Sequence, residues 1–189
     1  MNWEDLKFYK PLQKEELNDA KKSIENIIAE RLTPFGFRKF GKKLIRKSDD
    51  LVHIIHLDSR GSWQGASNSL KTEIAIVSIY DTDILLENFE PISGCYIQNL
   101  EPKLRNYYQI TKEFNDFAEF LSKKIIEIVL PHFDKYLNSK DVLNKGIQIG
   151  ASKNLKLFCE LTKNSNEKVV DETLKTKKDA VLKKLKITE

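Results

Sequence analysis

The chain is poor in the residues from which metal, redox and phosphate sites are usually built. It has two cysteines, three histidines and seven glycines among 189 residues. Cys95 and Cys159 lie far apart, which excludes a Cys-x-x-Cys motif and fits two free thiols in a reducing compartment. His53, His56 and His132 form no His-x-x-x-His pair, and no Asp-rich calcium loop occurs. The glycines never cluster at the spacing that cradles a phosphate, and no Gly-x-Ser-x-Gly elbow is present. Long apolar runs are missing as well. Ile125–Leu130, with Glu127 inside it, falls far short of the ~20 residues a membrane span needs. Glu4 and Asp5 stand where a secretory signal places positive charge, and no apolar stretch follows. The expectation is a cytoplasmic protein with no membrane partner.

What is present describes an ordinary folded domain. Hydrophobic residues make up 40% and charged residues 32% of the chain. A chain this long buries enough apolar surface to fold without a metal or disulfide staple. Net charge is +4, and its location matters more than its size. Residues 153–189 hold ten of the 32 basic and six of the 28 acidic residues, so residues 1–152 hold 22 of each sign. The main body is neutral, which argues against a generally basic nucleic-acid-binding domain.

Periodicity divides the chain. Leu17, Ala20, Ile24, Ile27, Ile28 and Leu32 recur at helical steps, so a helix is predicted over Lys14–Leu32. Pro34 ends it, and Leu32–Phe37 reads as a turn with Gly36 in a conformation other residues avoid. Strands are predicted over Lys43–Lys47, Leu51–Asp58 and Lys71–Tyr80, the first two joined by a tight Asp49-Asp50 hairpin. Residues 92–110 suggest one or two more strands. A strong apolar stripe predicts a helix over Lys112–Leu130, interrupted by Pro131, with another turn continuing over His132–Leu137. Ser139 reads as the N-cap of a short helix over Lys140–Lys145. Another short helix is expected around Leu155–Thr162, and a Lys-rich C-terminal helix carries Val170, Leu174, Val181 and Leu185 on one face. A helix, a meander and more helices make an α+β order. The expected fold is an antiparallel β-meander of four to five strands with helices packed on one face, over residues 1–150, plus a helical extension over 151–189.

Leu32-Thr-Pro-Phe-Gly-Phe37, Gly41-Lys42 and Leu44-Ile45-Arg46 introduce a family resemblance. Val52–Leu57, Ser59-Arg60-Gly61-Ser62, Thr72–Ile79, Asn106-Tyr107-Tyr108, Leu130-Pro131-His132-Phe133 and Ser139–Leu143 continue it in order. In these features residues 14–145 resemble the bacterial domain-of-unknown-function family four-three-zero-four. Asp58 stands where members often carry glutamine, and His132 where they often carry tryptophan. The resemblance implies a fold and supplies no catalytic residues.

His53 and His56 are three apart on a strand and so point to opposite faces, which argues against a shared metal ion. Ser59, Ser62 and Ser67 near Asp58 read as loop polarity, and Asp81 and Asp83 as loop solvation. Between Arg31 and Lys47 the chain holds seven basic residues (Arg31, Arg38, Lys39, Lys42, Lys43, Arg46 and Lys47) and no acidic one. Phe35, Phe37 and Phe40 are interleaved, a pattern that suits phosphate contact and base stacking, or else a turn with Phe inside and cations outside. Arg60 and Trp63 occupy a Gly-flanked loop and form a second candidate surface. No catalytic residue, metal or cofactor is assigned. The expected function is a non-enzymatic protein-binding domain, by analogy with toxin-neutralising immunity proteins. The alternative is a nucleic-acid-associated protein that uses residues 31–47 and the Lys-rich tail. An uncharacterised enzyme ranks third.

Overall fold

The computed structural model of the chain describes residues 12–59, 69–79, 93–138, 141 and 167–187. The elements are helix α1 (Lys14–Leu32), a 3-10 turn (Thr33–Phe35), strands β1 (Arg38–Phe40), β2 (Lys43–Ser48), β3 (Leu51–Asp58), β4 (Ser69–Ser78) and β5 (Ser93–Tyr96), and helix α2 (Ile97–Leu100). Strand β6 (Tyr108–Gln109), helix α3 (Phe114–Lys124), a π-turn (Ile125–Val129), helix α4 (Leu130–Phe133) and helix α5 (Glu167–Leu185) follow. The six strands form one antiparallel sheet in the order β1-β2-β3-β4-β5. β6 also pairs with β4, antiparallel, with Leu70 opposite Tyr108. The fold is α+β with a C-terminal helix.

Local chemistry explains the helix and turn boundaries. The Glu16 carboxylate accepts the Gln13 N–H at 3.0 Å, and acidic residues in the first turn suit the positive end of the α1 dipole. At the other end Thr33 Oγ1 donates to the Ala29 carbonyl at 2.9 Å, and Gly36 adopts a left-handed φ of 81°. Gly41 (φ 60°) turns β1 into β2, and Asp49 (φ 47°) turns β2 into β3. Aspartate tolerates that left-handed conformation better than most residues. Backbone hydrogen bonds from Leu57 N to Lys42 O and from Ile79 N to Asp50 O set the register on either side of β3. Arg46 therefore lies opposite His53.

Two compact units divide the chain. The first comprises Met1–Leu44, Ile55–Glu73 and Tyr96–Pro131; the second comprises Ile45–Ile54, Ile74–Cys95 and His132–Glu189. In the first, α1 and α3 pack on each other. Leu17, Ala20, Ile24, Ile28 and Leu32 are buried there, as are Phe117, Ala118, Leu121 and Ile125. Tyr108 lays its ring against Phe117 at 5.3 Å, and its hydroxyl accepts the Arg105 N–H at 3.0 Å. In the second unit Leu51 and His53 are buried on one face of β3, and Val52 and Ile54 on the other. Both faces of this stretch are thus shielded from water. The narrow apolar face of α5 is also buried at Val181, Leu182 and Leu185.

The sequence-based boundaries needed four corrections. Arg38–Phe40, which lies between the predicted turn and the first predicted strand, forms the edge strand β1. β4 starts at Ser69 rather than Lys71. Ile97–Leu100, expected in a strand, is a helical turn, and the Asn99 side chain accepts the Tyr96 N–H that opens it at 2.8 Å. Pro131 does not interrupt the third helix, which runs through it from the π-turn into α4. The wider turn upstream gives room to a ring that lacks an N–H and would clash in a regular α-helix. The helix expected near Leu155–Thr162 lies outside the described residues, as does all of Lys140–Lys145 except Asp141.

Candidate functional site

The basic turn is largely occupied by internal partners. Arg31 forms a two-pronged ion pair with Glu119 of α3, with its closest contact at 2.7 Å. The same contact raises the Arg31 pKa and lowers that of Glu119. Lys39 Nζ lies 3.1 Å from Glu25 and donates to Asn26 Oδ1 at 2.8 Å, clamping β1 to α1. Lys42 Nζ donates to Ser59 Oγ at 3.4 Å. Arg46 pairs with Asp134 at 2.7 Å. Arg38 and Lys43 are half-buried and not free either, and burial lowers the Arg38 pKa. The aromatics divide: Phe37 is buried and Phe40 half-buried, whereas Phe35 is 41% exposed. Arg60 and Trp63 lie outside the described residues, as do Ser62, Ser67, Asp81 and Asp83.

A second constellation surrounds His53 in the second unit. The Arg46 Nε and Nη2 groups approach His53 Nδ1 at 3.2 and 3.1 Å, and His53 Nε2 lies 2.7 Å from the Tyr136 carbonyl. A guanidinium can only donate and a carbonyl can only accept. Nδ1 therefore carries the lone pair and Nε2 the proton. Phe133 stacks on the ring at 4.6 Å with planes 1° apart. Burial, opposed by the Tyr136 hydrogen bond and aided by Arg46, holds the His53 pKa down to about 4. Ser48 Oγ donates to the Leu137 carbonyl at 2.9 Å. Residues 133–137 are thus clipped to β2 and β3 by Arg46, Ser48 and His53. Both ring nitrogens of His53 are engaged, so it has neither a lone pair nor a proton to offer a substrate. His132 stands close by, its ring 5.5 Å from that of Tyr136, and burial lowers its pKa. The sequence separates residues 133–137 from their partners on β2 and β3 by 80 or more positions and contains no motif that joins them.

The first unit holds the other strand histidine. His56 Nδ1 lies 2.7 Å from Glu73 Oε2, with side-chain exposures of 12% and 35%. An ionised carboxylate accepts, so Nδ1 carries the proton in the neutral ring and Nε2 carries the lone pair. Lys71, two residues before Glu73, sits over the Tyr96 ring at 5.5 Å. Strand alternation could have located the His56 face from sequence, but Glu73 as its partner required the register of β3 on β4. Among the described residues, no three His, Cys, Asp or Glu side chains are grouped to hold a metal ion. No described helix is long and apolar enough to cross a membrane.

No protein-family model matches this chain, and neither does any curated protein or solved structure.

Proposed function

We propose that the chain is a non-enzymatic protein-binding domain. The observation that carries this is Phe35, a large aromatic side chain 41% exposed on a braced turn. Pro34 precedes it, and Gly36 N and Phe37 N donate back to Thr33 O and Leu32 O at 3.0 and 3.3 Å. A rigid turn loses little conformational entropy when it docks, and exposed aromatics beside arginine are typical interface anchors. The Arg31–Glu119 ion pair flanks the turn and offers both charges to a partner. The resemblance to family four-three-zero-four, a cytoplasmic location and an immunity-type role belong to the same proposal. The first rests on the order of motifs from Leu32 to Leu143, and the last is an analogy.

The internal ion pairs of Arg31, Lys39 and Arg46 weigh against the nucleic-acid alternative at residues 31–47, since phosphate would have to displace a carboxylate at each. Placing a photo-crosslinking phenylalanine analogue at position 35 in the source cell tests the proposal. One protein adduct of defined mass is expected, together with loss of the co-purifying protein in Phe35→Ser. Crosslinks only to nucleic acid, or to no protein, would overturn it.

A further inference from the structure

Helix α5 differs from the basic turn in one respect. Its apolar side is committed, with Val181, Leu182 and Leu185 buried. At 100° per residue the opposite side carries Thr176, Asp179, Ala180, Lys183 and Lys184, with Lys177 at its margin. Lys183 and Lys184 are exposed and Lys177 is half-buried. Among the described residues the side chains of these three lysines have no ion-pair or hydrogen-bond partner, whereas Arg31, Lys39 and Arg46 each have a carboxylate. The helix dipole accounts for cations in the last turn, Lys183 and Lys184, but not for Lys177 two turns earlier. The left-handed Lys186 (φ 54°) and the Ile187 N to Leu182 O bond of 2.9 Å close the helix, so its last turn is held in place.

We infer that this lysine face of α5 is a docking surface for an acidic protein segment. Lys177 and Lys184 lie on nearly the same line of the helix, about 10 Å apart. Carboxylates at i, i+3 or i+4, and i+7 of a partner helix have the same spacing. The small side chain of Ala180, exposed between the two lysines, lets such a partner approach closely. Nucleic acid fits the face less well. The exposed residues of α5 include no aromatic for stacking and no arginine for bidentate phosphate contact.

This inference rests on the protein-binding reading but uses residues other than Phe35, so the two fail separately. Binding of a short poly-L-glutamate and of a charge-matched DNA duplex to the full chain, measured across a salt series, tests it. The variants are Lys177→Gln/Lys183→Gln/Lys184→Gln and Phe35→Ser. Glutamine has nearly the helix propensity of lysine, so the helical circular-dichroism signal and thermal midpoint should hold in the triple variant. The expected result is salt-sensitive poly-L-glutamate binding that falls about tenfold or more in the triple variant and is unchanged in Phe35→Ser. Equal binding by wild type and triple variant, or tighter binding of the duplex, would overturn it. Loss of binding in Phe35→Ser would also do so, because it would move the acidic contact to the turn.

Discussion

In the second unit β3 carries His53 into a dry site, where Arg46 donates to one ring nitrogen, the Tyr136 carbonyl accepts from the other and Phe133 covers one ring face. In the first unit the same strand carries His56 to a partly open surface, where Glu73 accepts a hydrogen bond from Nδ1. Alternation along the strand sends residues three apart to opposite faces, and the cover on each face does the rest. Desolvation leaves His53 neutral and structural. The carboxylate beside His56 leaves it oriented. A histidine in a strand thus takes its chemistry from what lies across from it and above it.

Removing each ring would sharpen this contrast most. His53→Ala opens a cavity, leaves the Tyr136 carbonyl without its donor and takes away an acceptor from Arg46. A loss of roughly 3–4 kcal/mol is expected in denaturant unfolding. A loss below about 1 kcal/mol would mean that the clip on residues 133–137 holds without it.

Acid should produce an effect nearly as large. The folded His53 pKa is about 4, below the ordinary 6.5, so the unfolded chain takes up a proton that the native chain refuses. Stability is therefore complete above pH 6.5 and falls as pH drops toward 4, by roughly 3 kcal/mol from this residue. His132, also lowered by burial, acts in the same direction. The pH dependence of unfolding should shrink over this window in His53→Gln. An unchanged slope would break the assignment.

Smaller effects should follow at the partners. Asp134→Asn removes the charge paired with Arg46 but keeps a hydrogen-bonding oxygen, and should cost about 1 kcal/mol of stability. His56→Ala should cost about 0.5 kcal/mol, because its contact with Glu73 is near water. If His56→Ala destabilises as much as His53→Ala, the two faces of β3 do not differ as described.

Much of the architecture was legible because local patterns carried it. The stripe from Leu17 to Leu32 marked α1, Pro34 marked its end, and the VHIIHL core of β3 placed that strand at Leu51–Asp58. Where local signals competed, the prediction failed. Ile97–Leu100 has strand-favouring residues but is capped into a helical turn by Asn99. Pro131 has helix-breaking chemistry but is accommodated by a π-turn. The basic turn was visible as a run of cations, but its neutralisation by Glu25, Glu119 and Asp134 was not.

The sequence by itself determined the α+β order, the turn at Gly36, the opposed directions of His53 and His56 and the concentration of surplus charge after residue 152. These follow from backbone propensity, side-chain alternation and composition, which act over a few residues or need only counting. Tertiary structure alone decided which cations are paired, which histidine is buried and which aromatic of the turn meets water. Those outcomes depend on groups brought together across 80 or more positions, as with Arg46 and Asp134 or Arg31 and Glu119. Desolvation and hydrogen bonding act through space, and the register of the sheet and the packing of α3 on α1 set those distances.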